Sequence, residues 1–159
     1  YITTPIILEL LENEYPLESI TVMVQKEVAE RMLEGPGSKA YGALSLAVQY
    51  YSKPYMEMRV PRHCFYPQPD VDSAVIRMDV YKPEDRPVNT DDTKELFRII
   101  RAAFGQRRKT LVNALGNASD LKYSKSQIAE ALNAIGKSET IRGEVLTLEE
   151  FAELTHKLP

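Results

Sequence analysis

The chain has 159 residues, enough for one domain or for one and a half small ones. Its 43% apolar and 27% charged content is ordinary for a folded globular chain; no apolar run approaches the roughly 20 residues of a membrane helix, and no segment at the start reads as a signal peptide. A single cysteine, Cys64, and two separated histidines, His63 and His156, exclude an internal disulfide framework and a cysteine-rich zinc site, and a lone thiol fits a reducing cytoplasm.

In chain order, Thr4 is a good N-cap and Pro5 a good first helical residue, followed by Ile6, Ile7, Leu10 and Leu11 at helical spacing to about Asn13. Ser19–Gln25 is β-branched and apolar and reads as a buried strand. Lys26–Glu34 reads as a helix, broken by Gly35-Pro36-Gly37. Ala40–Tyr51 reads as a further helix with Leu44, Ala47, Val48 and Tyr51 on one face. Tyr55–Val60 and Ala74–Tyr81 alternate as strands. Strands separated by helices predict a largely parallel or mixed sheet. Lys82–Asp92 is a polar linker with Pro83 and Pro87. Beyond it the pattern is helical only: Thr93–Phe104, Arg107–Leu115 after Gly105, Ser124–Ile135, and Leu148–Leu158 capped by Thr147 with Glu150 at the capping-box position. The expected architecture is α/β followed by all-α, divided at 1–88 and 89–159.

Three segments carry chemistry. Phe65 to Val75 (FYPQPDVDSAV) packs an aromatic, two prolines and two acids into a loop that runs into a strand. Pro67 and Pro69 stiffen it, and a stiff loop beside an aromatic holds a flat ring in a fixed place, as enzymes that modify an unstacked nucleobase require. The plainer reading is a core phenylalanine capping a strand. Second, Lys26 and Arg31 follow a buried strand where open α/β sheets collect functional groups, although Glu27 and Arg31 also have the spacing of a surface ion pair. Third, residues 91–159 hold eleven Lys/Arg against ten Asp/Glu, whereas residues 1–90 hold nine against thirteen. Residues 96–119 contain Arg98, Arg101, Arg107, Arg108 and Lys109 and no acid, a local field that attracts phosphate on an acidic chain. The Gly105–Thr110 turn offers bidentate arginines and a lysine point charge to a phosphate backbone; a solvated helix start is the bland alternative. Ser124–Gly136 is not followed by a basic recognition helix, so DNA reading is not expected. None of the seven glycines stands between a strand and a helix as a nucleotide-binding fingerprint.

Together these residues resemble the bacterial ribosomal RNA adenine dimethyltransferase family, the KsgA type. The matching pieces are ITTPIILELL at 2–11, MVQKEVAERM at 23–32, GSKAYGALSLAVQYY at 37–51, FYPQPDVDSAVIR at 65–77, FGQRRKTLVNALG at 104–116 and IRGEVLTLEEF at 141–151. The resemblance implies the C-terminal half of a Rossmann-like class I methyltransferase domain, followed by a small helical rRNA-binding domain. It implies S-adenosylmethionine as methyl donor, and as substrate two adjacent adenines near the 3′ end of small-subunit (16S) rRNA, dimethylated at N6 during ribosome assembly. Phe65 matches the aromatic that stacks on the flipped adenine. Arg31, Arg107, Arg108, Lys109 and Arg142 match positions on the rRNA-facing surface. The family's Asn-(Leu/Ile)-Pro-Tyr motif, glycine-rich cofactor loop and ribose-binding acid match nothing from Tyr1 onward, so no cofactor residue is assigned and the chain reads as an inactive fragment cut in the interior. Its sheet would then carry an exposed edge that invites self-association. Two rival readings remain at this level. One is the antibiotic-resistance relative that methylates large-subunit rRNA, which the QRRKTL and IRGEVLTLEEF segments disfavour. The other is a non-enzymatic RNA-binding module docking through residues 98–109.

Overall fold

A computed structural model describes residues 2–159. They form two compact units that do not follow a single cut of the chain: residues up to 34 together with 44–86, and residues 35–43 together with 87–159. The segment 35–43, which the sequence pattern groups with the first half, packs with the helices.

The first unit is α/β. Helix α1 (Thr3–Glu12) buries Ile7 and Leu11. It starts two residues earlier than expected, with Ile2 rather than Thr4 at the N-cap and no side-chain cap bond. Pro5 is then the third helical residue, where its missing N–H costs nothing because the first four amides have no intrahelical acceptor. Strand β1 (Ser19–Gln25) passes directly into α2 (Lys26–Leu33). Helix α3 (Ala43–Tyr51) passes directly into β2 (Ser52–Val60), and the buried Ser52 hydroxyl donates to the Val48 carbonyl at 2.7 Å. Strand β3 (Ser73–Val80) completes the sheet.

The sheet order is β1-β3-β2, and both pairings are antiparallel. This corrects the expected parallel or mixed sheet. The two strands linked through helices do run in the same direction, as a crossover demands. They are not neighbours, because β3 returns through residues 61–72 and inserts between them. Ala74, Ile76 and Met78 of β3 and Ile20 and Val24 of β1 are buried, as are Ala29 and Met32 of α2, which packs on all three strands, and Leu46 and Val48 of α3. On the outer side of β2, Pro54 and a bulge between Met56 and Met58 blunt pairing; β1 carries no such device. Arg86 closes the unit, its guanidinium 5.2 and 5.1 Å from the Tyr50 and Tyr51 ring centres and 2.9 Å from Glu14.

The second unit is all-α: α4 (Thr93–Gly105), α5 (Leu111–Gly116), α6 (Lys125–Ala134) and α7 (Leu148–Lys157). Each buries a stripe at helical spacing, such as Leu96, Ile99, Ile100 and Ala103 of α4 and Leu148, Phe151, Ala152 and Leu154 of α7. The capping box at α7 forms as its sequence predicts, Glu150 N–H donating to Thr147 Oγ1 and Thr147 N–H to Glu150 Oε1. Burial pushes the Glu150 carboxyl up, but the bonds from Lys137 and the Thr147 amide outweigh it and hold the group below its ordinary range. Two expected helices start later. Helix α5 begins at Leu111 rather than Arg107, because Thr110 caps it through the Asn113 amide. Helix α3 begins at Ala43 rather than Ala40, because Tyr41 is committed elsewhere: its ring is buried against Phe104 and its hydroxyl donates to the Leu146 carbonyl at 2.7 Å.

Candidate functional site

In the first unit the loop 61–72 leaves β2 after Val60 and rejoins β3 at Ser73, two residues that pair with each other. The end of β1 is alongside, with Gln25 opposite Ser73 and the Lys26 amide donating to the Asp72 carbonyl at 2.9 Å. The loop therefore stands at the carboxyl ends of β1 and β2 beside the first turn of α2, where open α/β sheets bind ligands. A short 3-10 turn, Arg62–Cys64, leads to Phe65, whose amide donates to the Arg62 carbonyl at 3.2 Å.

Arg62 braces the loop. Its backbone amide and Nε donate to Asp72 Oδ1 at 3.0 and 3.1 Å, and Nη1 donates to the Asp70 carbonyl. Phe65 is half-buried and Tyr66 beside it is fully exposed. The Phe65 ring is thus partly open to solvent. Asp72 is one of the loop's two acids, but its pairing with Arg62 does not stand out in the sequence, since a bond across ten residues inside a proline-rich loop has no periodic signature.

The backbone and side-chain bonds from Arg62 hold the Asp72 carboxyl below its ordinary value of 3.8. A carboxylate depressed in the folded state contributes above its unfolded pKa, and that contribution is lost as pH falls through the folded value. Loop bracing is therefore expected to be constant through neutral pH and to fail only below 3.8. Asp72→Ala should reproduce that failure at pH 7, seen as several-fold faster hydrogen exchange at the Cys64 and Phe65 amides, with β3 protection unchanged.

Arg31, on the last turn of α2, is exposed and pairs with Glu27 at 2.6 Å. That is the i,i+4 pair its spacing allows, worth about 0.2–0.5 kcal/mol.

The remaining predicted residues lie in the second unit. Arg107, Arg108 and Lys109 occupy the turn ahead of α5, closed by the Lys109 amide on the Gln106 carbonyl at 3.0 Å. The Leu111 amide donates to the Ile141 carbonyl at 2.7 Å, which brings this turn beside Arg142. Arg108, Lys109 and Arg142 are exposed, and among the described residues none has an acid within ion-pair distance. Arg107 differs: it is half-buried, donating to the Tyr41 carbonyl at 2.6 Å, the Ser38 carbonyl at 3.0 Å and Glu144 at 3.3 Å. Sequence reading groups the four cations; the structure divides them into three free and one engaged.

The chain matches the family model described as ribosomal RNA adenine dimethylase over residues 1–152. A protein of Lachnoclostridium phytofermentans called ribosomal RNA small subunit methyltransferase A is 56% identical over 154 residues, covering 97% of this chain and 52% of that protein. A protein of Geobacillus thermodenitrificans with the same name is 49% identical over 159 residues, covering 99% and 54%. The chain thus spans about half the length of these relatives. Among solved structures, a dimethyladenosine transferase from Plasmodium falciparum superposes with TM-score 0.74 at 25% identity, covering 96% of this chain and 61% of that one. The 23S rRNA methyltransferase ErmE superposes at 0.67 and 19% identity, covering 99% and 62%, a likeness of fold alone. With a family model matched over residues 1–152, from before the first helix into the last, the chain belongs to the ribosomal RNA adenine dimethylase family.

Proposed function

We propose that this chain is the substrate-gripping half of an enzyme that dimethylates, at N6, two adjacent adenines near the 3′ end of small-subunit rRNA, using S-adenosylmethionine. The observation that carries the reading is Phe65 half-buried on a braced loop at the carboxyl ends of β1 and β2. The ring stacks on an adenine taken out of its helix, and the loop keeps it still while the base is held. Positioning of this kind supplies much of the rate in transfers between two bound groups. The first unit is then the C-terminal part of the methyltransferase domain and the second an rRNA-binding domain.

The β1–α2 turn does not fit the methyl donor: Gln25 ends β1 and Lys26 begins α2 with no glycine loop between them, so that turn offers no cradle for the donor's nucleoside or its methionine carboxylate. The role of this chain is to bind and orient RNA. Arg31, Arg108, Lys109 and Arg142 are assigned to phosphates, which fix register without reading sequence.

The reading is tested by the salt dependence of binding to a small-subunit rRNA fragment containing the 3′-terminal hairpin. Arg108→Ala should flatten the plot of log K against log salt by about 0.7–0.9, the share of one phosphate. Salt-independent binding by the unaltered chain would sink the reading. Methyl transfer to large rather than small subunits by the full-length enzyme would reassign the substrate.

A further inference from the structure

Arg107 belongs to the basic run of the turn, yet its bonding is that of a scaffold. Its guanidinium takes the Ser38 and Tyr41 carbonyls and the Glu144 carboxylate, and its carbon sits 5.5 Å from the Phe104 ring centre. Phe104 in turn meets Tyr41 edge-on at 5.8 Å. The same short segment is tied at two further points, by the Gly37 amide on the Glu144 carbonyl at 2.9 Å and the Tyr41 hydroxyl on the Leu146 carbonyl at 2.7 Å. Burial, with Glu149 and Glu150 adding, pushes the Tyr41 phenol up, so it stays a donor. One side chain thus joins three pieces: the segment 37–42, the turn carrying Arg108 and Lys109, and the segment carrying Arg142 and Glu144.

We propose that Arg107 is a positioning residue. It locks the segment 37–42 onto the helical unit and thereby sets the geometry in which Arg108, Lys109 and Arg142 meet RNA, without itself contacting phosphate. The inference rests on the rRNA-binding reading of those three cations. A planar five-donor fork suits two carbonyls and a carboxylate held at fixed angles, and an ammonium on a flexible stem does not. Charge alone at position 107 is therefore insufficient, whereas at an exposed phosphate contact it is most of the effect.

The test compares Arg107→Lys, Arg108→Lys and Glu144→Gln in this chain. Trypsin sensitivity after the exposed Lys39 is followed without RNA, and affinity for the rRNA fragment is measured at fixed salt. Arg107→Lys should speed cleavage after Lys39 and weaken binding roughly tenfold, as expected if one or two phosphate contacts are misplaced. Arg108→Lys should leave cleavage after Lys39 unchanged. Glu144→Gln removes a negative charge beside the basic turn, so electrostatics alone would tighten RNA binding; as a loss of bracing it should weaken it. Arg107→Lys binding within about twofold of the unaltered chain, or Glu144→Gln binding more tightly, overturns the proposal. If Arg107→Lys fails to fold, Glu144→Gln decides. Failure of the unaltered chain to bind RNA would count against the functional reading, while Lys39 protection would still report on Arg107.

Discussion

Replacing Phe65 by alanine in the full-length enzyme is expected to lower methyl transfer to small subunits by roughly 10- to 100-fold. Base–aromatic stacking is worth about 1–3 kcal/mol per base, and each 1.4 kcal/mol is about tenfold. The fold should survive, because the loop is held by Arg62 on Asp72 and Asp70 rather than by the Phe65 ring. Phe65→Tyr should keep most of the activity, since it keeps the flat face. Single-turnover transfer measured beside thermal unfolding separates the two effects. Near-normal transfer by Phe65→Ala would return Phe65 to the role of a strand-capping core residue.

The second large effect lies in the helical unit. Phe151→Ala is expected to destabilise it by about 3–5 kcal/mol, the usual range for a buried phenylalanine, and to lower its melting temperature by about 15 °C or more. Phe151 is fully buried, and its ring centre lies 6.2 Å from that of Phe104. The site has little room to collapse into a smaller shape. Gly143 abuts it so closely that an added Cβ would fall 2.9 Å from Ala103 Cβ and 3.7 Å from Phe151 Cζ. Ala103 is fixed in α4, so the walls of the cavity cannot close without moving backbone. Because Phe104 also meets Tyr41, the loss should spread to the segment 37–42 before it reaches α6. Calorimetry on the variant checks the magnitude, and a melting temperature within a few degrees of the starting value would contradict it.

Much of the candidate site was legible in the residues because its signals are local. Two prolines and an aromatic before an alternating strand place Phe65 on a stiff loop, and the loop is there. Ser19–Gln25, with Ile20, Thr21, Val22 and Val24 β-branched, forms β1 with those ends, although only Ile20 and Val24 are buried rather than the whole strand. Thr147 and Glu150 stand three apart ahead of an apolar stripe and form the capping box. The arginine-rich turn without acids is equally local. What the residues did not reveal is which partner each group would meet. A parallel or mixed sheet was expected, but β3 lies between β1 and β2 and pairs antiparallel with both, since strand order depends on where the 12-residue connection, residues 61–72, returns. The Ala40 start of α3 failed because Tyr41 is claimed by Leu146, over a hundred residues away.

By itself, then, the sequence determined the elements, their amphipathic faces, the stiff aromatic loop and the concentration of positive charge, because helix and strand periods, proline geometry and net charge are properties of short windows. Only the tertiary structure decided that the sheet is antiparallel, that Arg62 and Asp72 brace the loop, and that Arg107 is bound internally while Arg108, Lys109 and Arg142 stay free. Those outcomes depend on contacts between residues far apart in the chain, where burial and hydrogen-bond satisfaction choose one partner among many that local sequence allows equally.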